Sequence, residues 1–226
     1  MTIIRKIPVL AVLTLLGLAL PAMANAATIS YSDSVPQQST YWSSSVAIPK
    51  FDPSLGTLTD IEFKLDGHIE GIAKFEHQGQ GPATVTMNFS ATIELQRPDT
   101  SPLVVAIPVV STVDDVTAYD GATDFGGTSG RTHDGLSADK TVSASSPPPS
   151  SDLALFTGSE TIALPVIATG SSSTTGSGNI ITQFTTSASA TVTITYTYNA
   201  VPVANEDVAT TDEDTPVTVD VLSNDT

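Results

Sequence analysis

Leu58-Thr-Asp-Ile-Glu-Phe-Lys-Leu-Asp-Gly-His-Ile-Glu-Gly-Ile-Ala-Lys-Phe-Glu76 decides the fold. Ile61, Phe63, Leu65, Gly67, Ile69, Gly71, Ala73 and Phe75 fall on one parity, and Asp60, Glu62, Lys64, Asp66, His68, Glu70, Lys74 and Glu76 on the other. Only Ile72 interrupts the alternation. After His77-Gln-Gly-Gln-Gly-Pro82 the pattern resumes, with Val85, Met87, Phe89, Ala91, Ile93 and Leu95 set against Thr84, Thr86, Asn88, Ser90, Thr92 and Glu94. A period of two puts one parity on each face of a strand. The stretch therefore reads as two half-buried strands joined by a Gly-rich turn, most simply a β-hairpin. Phe63, Leu65, Phe89 and Ile93 are expected inside; Glu62, Lys64, Thr86 and Thr92 outside. The first run exceeds the usual strand length of ~3–10 residues, so a bend or bulge is expected near Gly67 or Gly71.

Working outward, the same alternation recurs in Ile162, Leu164, Val166 and Ala168, and again in Ala188, Ala190, Val192, Ile194, Tyr196 and Tyr198. Shorter extended pieces are expected at Ala27–Tyr31, Tyr41–Ile48, Leu103–Val110 and Leu136–Ala144. Pro108 marks the third of these as an edge strand or a bulge. Ser32–Thr40, Ser145–Asp152 and Thr169–Gly178 read as loops, and the Asp114–Asp134 segment reads as a loop rich in Asp and Gly. No segment after residue 26 carries a convincing 3.6-residue apolar period. Residues 27–200 are thus expected to form an all-β, antiparallel β-sandwich, jelly-roll-like or Ig-like, of roughly eight strands. A closed barrel is the second choice.

The N-terminus has a different character. Met1-Thr-Ile-Ile-Arg-Lys-Ile7 is followed by an apolar run to Leu20 and by Pro21-Ala-Met-Ala-Asn-Ala-Ala27. A short basic start, an apolar centre and small residues at A-x-A spacing make residues 1–26 a signal peptide. Cleavage is expected after Ala26, with Ala24 as the alternative. The apolar centre is too short for the ~20 residues of a spanning helix, so no direct membrane span is expected once the signal is removed. The chain has no cysteine, so neither a lipid-carrying cysteine nor a disulfide is available. The leader carries Arg5 and Lys6 and no acid, so its removal takes the formal charge from −16 to −18. That balance argues against nucleic acid and anionic membranes as partners. It suits a secreted protein that stays soluble or meets divalent cations.

Residues 201–226 form a third segment, which opens Val201-Pro-Val and carries seven acids. Its Val217, Val219 and Val221 alternate, too few residues for a core of their own.

Two resemblances extend this reading. Tyr41-Trp-Ser-Ser-Ser45, Pro49-Lys-Phe-Asp-Pro-Ser-Leu-Gly-Thr-Leu-Thr59, Leu95-Gln-Arg-Pro-Asp99, Asp120-Gly-Ala-Thr-Asp-Phe-Gly-Gly-Thr-Ser-Gly130, Asp152-Leu-Ala-Leu-Phe-Thr-Gly158 and Gly176-Ser-Gly-Asn179 through Tyr198 resemble the choice-of-anchor E domain. That resemblance implies an exported bacterial protein resident at the cell surface or outside the cell, and it supplies no catalytic residues. The tail is similar to the opening of the cadherin-like and Ig-like tandem repeats of bacterial adhesins, often calcium-linked. It stops at Thr226, where such a repeat would continue, and shows no sorting motif. Taken alone, residues 203–226 are expected to be mobile and to bind Ca²⁺ weakly or not at all.

Candidate sites are few. Calcium takes six to eight oxygen ligands, and Asp114, Asp115, Asp120 and Asp124, with Asp134, are candidate donors, as are Glu206 and Asp207 in the tail. Solvated loop acids are the plainer reading, because the spacing fits no EF-hand. No cofactor other than Ca²⁺ is expected. His68, His77 and His133 have no metal-ligand spacing. Trp42, the single tryptophan, reads first as a core plug and second, with Tyr119 or Tyr41, as a stacking face for sugar. No G-x-S-x-G elbow occurs, and Glu62, Glu70 and Glu94 read as solvent-facing charges rather than a glycosidase pair. The chain is expected to be non-enzymatic, a structural or adhesive surface module at the N-terminus of a larger anchored protein. Its partner is expected to be an unknown surface ligand, a glycan or a protein; a carbohydrate-binding domain is the alternative.

Overall fold

The computed structural model describes residues 26–212, 215–221, 223 and 225. The expected signal peptide, apart from Ala26, lies outside them, as do Glu213 and Asp214 of the acidic tail.

Two antiparallel sheets pack face to face as a β-sandwich. The first contains β1 (Ala26–Ser39), β3 (Gly56–His77), β7 (Gly130–Ser145) and β10 (Ile180–Ala200), in the order β1-β10-β3-β7. The second contains β2 (Trp42–Pro49), β4 (Ala83–Gln96), β5 (Pro102–Ala106) and β8 (Thr161–Gly170), in the order β2-β8-β4-β5, with β6 (Val109–Val116) and β9 (Ser173–Thr175) also paired to β4. A 3₁₀ turn at Pro53–Leu55 and the one-turn helix α1 (Asp152–Leu155) complete the unit.

The expected faces are found. Ile61, Phe63, Leu65, Ile69, Ala73 and Phe75 of β3 are buried, and so are Val85, Met87, Phe89, Ala91, Ile93 and Leu95 of β4. Glu62 is exposed, while Lys64, Thr86 and Thr92 are half-buried by their neighbours on the outer faces. The hairpin is not found. β3 pairs with β10 and β7 in one sheet, and β4 pairs with β5, β6, β8 and β9 in the other. His77–Pro82 therefore crosses between sheets. Alternation fixes which side chains face the core but not which strand lies alongside, and two one-sided apolar strands serve as well face to face as side by side.

The expected irregularity falls beside Gly71. Between Gly71 and Ala73 the pairing with β7 slips, so that Asp134 and Gly135 stand opposite Ile72. Gly135 has φ +66, the left-handed geometry of a glycine-containing bulge. At Gly71 a Cβ would lie 1.9 Å from the Thr185 carbonyl oxygen, so only glycine fits.

Elsewhere the strands run longer than expected. Ser32–Ser39 belongs to β1 rather than to a loop, and Pro36 sits in the slip between Val35 and Gln38. A bulge on an edge strand is where proline is tolerated. Asp114 and Asp115 end β6, and Gly130–Asp134 begin β7, so the expected acidic loop shortens to residues 117–129. Pro108 divides the expected 103–110 strand, giving β5 on one end of β4 and β6 on the other. The described residues of 202–226 belong to a separate unit and contain no helix or strand.

Candidate functional site

Three polar regions of the sandwich carry chemistry. The first is the 117–129 loop. Glu76 ends the polar parity of β3, yet it is fully buried because this loop folds over it. Its Oε1 accepts a hydrogen bond from the Ser129 hydroxyl at 2.6 Å, and its Oε2 accepts one from the Phe125 backbone N–H at 2.8 Å. The next residue, His77, is buried on the opposite side, where its Nδ1 meets the Thr117 carbonyl at 3.0 Å. That carbonyl can only accept, so Nδ1 carries the proton. Glu76 and His77 thus pin both ends of the loop to one strand.

The loop's own acids turn inward on its backbone. Asp120 Oδ1 accepts from Ala122 N–H and Oδ2 from Thr128 N–H, both at 3.1 Å. These bonds, Ala122 first, hold its carboxyl below the ordinary aspartate range. Asp124 accepts from Gly126 N–H at 2.9 Å. Asp114 faces His133, with Oδ2 2.8 Å from Nε2, and has Arg131 at 4.0 Å. Asp115 points to the other face of β6, where Thr84 donates to it at 2.6 Å. The four candidate calcium donors are therefore not gathered around one point. Among the described residues no three His, Asp or Glu side chains are grouped to hold a metal ion. In the tail, Glu206 and Asp207 are exposed.

Glu76 yields a test of the loop anchor. Glu76→Leu leaves the Phe125 N–H and the Ser129 hydroxyl without an acceptor, at about 1–3 kcal/mol each. Glu76→Gln offers an oxygen to Phe125 and an amide to Ser129, and should stay within about 1 kcal/mol of wild type. Thermal melts, with hydrogen exchange at Phe125, check both; equal losses in the two variants would show that the anchor does not depend on these hydrogen bonds.

The second region is the outer face of the β1-β10-β3-β7 sheet. Thr28, Ser30, Ser32 and Ser34 of β1 stand opposite Thr197, Thr195, Thr193 and Thr191 of β10. The Ser30 and Thr195 hydroxyls meet at 2.8 Å. The same β10 residues face Asp60, Glu62, Lys64 and Asp66 of β3. Lys64 pairs with Asp66 at 2.9 Å, Thr141 of β7 donates to Asp66, and His68 meets Asp139 of β7 at 2.7 Å. Every outward position in these central rows is a hydroxyl, a charge or an imidazole.

The third region surrounds the turn between β1 and β2. Trp42, at 8% exposure, is in the core, with its Nε1 buried and unpaired. The core-plug expectation describes it; a ring so covered offers no stacking face. Tyr119 is half-buried, its hydroxyl 2.9 Å from that of Thr123. Tyr41, beside Trp42, is 78% exposed and holds a left-handed backbone at φ +72. The alternation of the sequence gives no signal for that conformation.

The fold and these surfaces define an all-β sandwich with one broad hydroxyl- and charge-bearing face. No family model matches the chain, and no curated protein matches it. Among solved structures it is similar to that of the infectious bursal disease virus Gx strain, at 13% identity, over 78% of this chain and 37% of that one, with TM-score 0.18. It is also similar to the T13 viral particle of the same virus, at 12% identity, over 76% and 36%, with TM-score 0.22. The VP2 subviral particle matches at 13% identity, over 78% and 37%, with TM-score 0.20. The chain spans little more than a third of the length of these proteins, and likeness at this level defines neither a family nor an activity.

Proposed function

We propose that this chain is a non-enzymatic module exported by a bacterium to the cell surface or medium, structural or adhesive in role, and part of a larger anchored protein. The observation that carries the reading is the outer face of the β1-β10-β3-β7 sheet. Rows of Ser and Thr hydroxyls run beside a stripe of paired charges, and those groups are tied to neighbouring strands by Lys64–Asp66, Thr141–Asp66 and His68–Asp139 contacts. Such a surface stays hydrated and soluble without much net hydrophobic exposure, and it can form hydrogen bonds across a broad contact. The signal-like leader, the acidic balance and the resemblance to the choice-of-anchor E domain support export. A core built without cysteine suits folding in any redox compartment.

Expression of the full chain in a bacterial host, followed by fractionation and N-terminal sequencing, tests the reading. The expected result is protein outside the cytoplasm beginning at Ala27. Protein retained in the cytoplasm, or exported with Met1 intact, would overturn it.

A further inference from the structure

We propose that Tyr41 is the stacking platform of a binding site for a neutral sugar ring, placed where the two sheets meet at the β1–β2 turn. The proposal rests on the reading of the chain as an exported surface module and assigns that module a ligand class.

Three observations converge. The first is conformational. A bulky residue at φ +72 is strained, and glycine or asparagine would hold that position at lower cost. The turn nonetheless fixes it: Thr40 N–H donates to Thr186 of β10 and Tyr41 N–H donates to Ala168 of β8, each at 2.9 Å. Because the ring is 78% exposed, core packing does not account for a tyrosine here. Strain retained at an exposed aromatic points to function.

The second is the surroundings. An open cleft of about 110 Å³ lies beside the ring, lined by Thr40, Tyr41, Gly170, Ser172, Phe184 and Thr186. Its walls carry hydroxyls and a second aromatic but no charged side chain. The Tyr41 hydroxyl reaches the Gly170 carbonyl at 3.5 Å, so the ring lies along Gly170, with no Cβ between.

The third is an unpaired donor. Thr186 is 7% exposed, lines the cleft, and its hydroxyl makes no hydrogen bond to any described residue. That hydroxyl opens onto the cleft, where a sugar hydroxyl can replace water as its partner. An aromatic face, a neutral hydroxyl-bearing rim and an open cleft together suit one monosaccharide unit lying on Tyr41. A protein partner would require a wider apolar surround for such an anchor.

The test is NMR titration of the full mature chain with the methyl glycosides of glucose, galactose, mannose and N-acetylglucosamine. At least one should bind at millimolar affinity or tighter and shift the amides of Thr40, Tyr41 and Thr186. Tyr41→Gly should weaken binding about tenfold or more, a single contact of ~1.4 kcal/mol, and melt no lower than wild type because the strain is relieved. Thr186→Val should weaken binding about three- to tenfold, the range of one hydrogen bond, without lowering the melting temperature. The proposal fails if none of the four glycosides binds, or if binding survives both variants unchanged. It also fails if Tyr41→Gly and Tyr41→Asn both melt well below wild type, since the tyrosine would then serve the fold. Export measured by fractionation is independent of these results, so loss of the sugar site would leave the surface-module reading standing.

Discussion

Phe89→Ala should lower the unfolding free energy by about 3–5 kcal/mol, seen as a lower urea midpoint with an unchanged slope. Phe89 is fully buried at the centre of β4. Its ring reaches across the sandwich: the tip lies 3.0 Å from where a Cβ of Gly71 would stand. Gly71 cannot enlarge to fill the space, because Thr185 closes on it from β10. The lost ring therefore leaves a cavity rather than a collapsed contact, which places the cost toward the upper part of the range. Phe89→Leu retains most of the volume and should cost less than about 1.5 kcal/mol. A melt of the alanine variant matching wild type would refute the placement of β4 against β3.

That contact also separates what the sequence makes legible from what it does not. The inward set Val85 to Leu95 can be read without coordinates, because one buried face imposes a period of two and a one-residue slip would bring Glu94 and Thr92 inside. The partner of that strand cannot be read the same way. β10 lies between β1 and β3 although it comes last in the chain, and nothing local in Thr191–Thr197 names its neighbours. The same limit governs the polar sites. Glu76 continues an outward parity and becomes buried only because residues 117–129 cover it. Tyr41 and Trp42 are adjacent aromatics of opposite fate, and the difference comes from a backbone torsion that composition does not signal. Asp152 closes a segment whose Ser and Pro content reads as exposed connection, yet it is buried against Arg97. Contacts between residues far apart in sequence carry no periodic signature.

Arg97→Met should destabilise the fold by about 3–5 kcal/mol at neutral pH, and by more than Asp152→Asn, which should cost about 1.5–3 kcal/mol. The guanidinium grips the carboxylate with two bonds, Nε to Oδ1 at 2.7 Å and Nη2 to Oδ2 at 2.8 Å, and its Nη1 donates to the Pro102 carbonyl at 2.8 Å. Ser146 adds a third donor to the carboxylate at 2.8 Å. The pair joins the β4–β5 turn to the chain entering α1. Its two members differ in burial: the Asp152 side chain is 3% exposed and that of Arg97 is 27% exposed. Without Asp152, the guanidinium still reaches water. Without Arg97, a carboxylate stays buried with serine hydroxyls, Ser146 foremost, in place of a cation. The asymmetry sets the order of the two variants. Acid should reduce the loss in Arg97→Met in a defined direction. Arg97 first, and Ser146 with it, hold the Asp152 carboxyl below the ordinary range despite burial. Its contribution to wild-type stability is therefore full above the unfolded-state value of ~3.9 and is lost as pH falls through the lower folded value. In Arg97→Met the carboxyl lacks its cation, so protonation relieves the buried charge. The gap between wild type and Arg97→Met should then narrow as pH drops below ~4. Urea melts of wild type and both variants at neutral and acid pH measure this. A gap that widens in acid, or Asp152→Asn proving the more costly change, would mean that the ion pair does not hold this corner of the sandwich through a buried carboxylate.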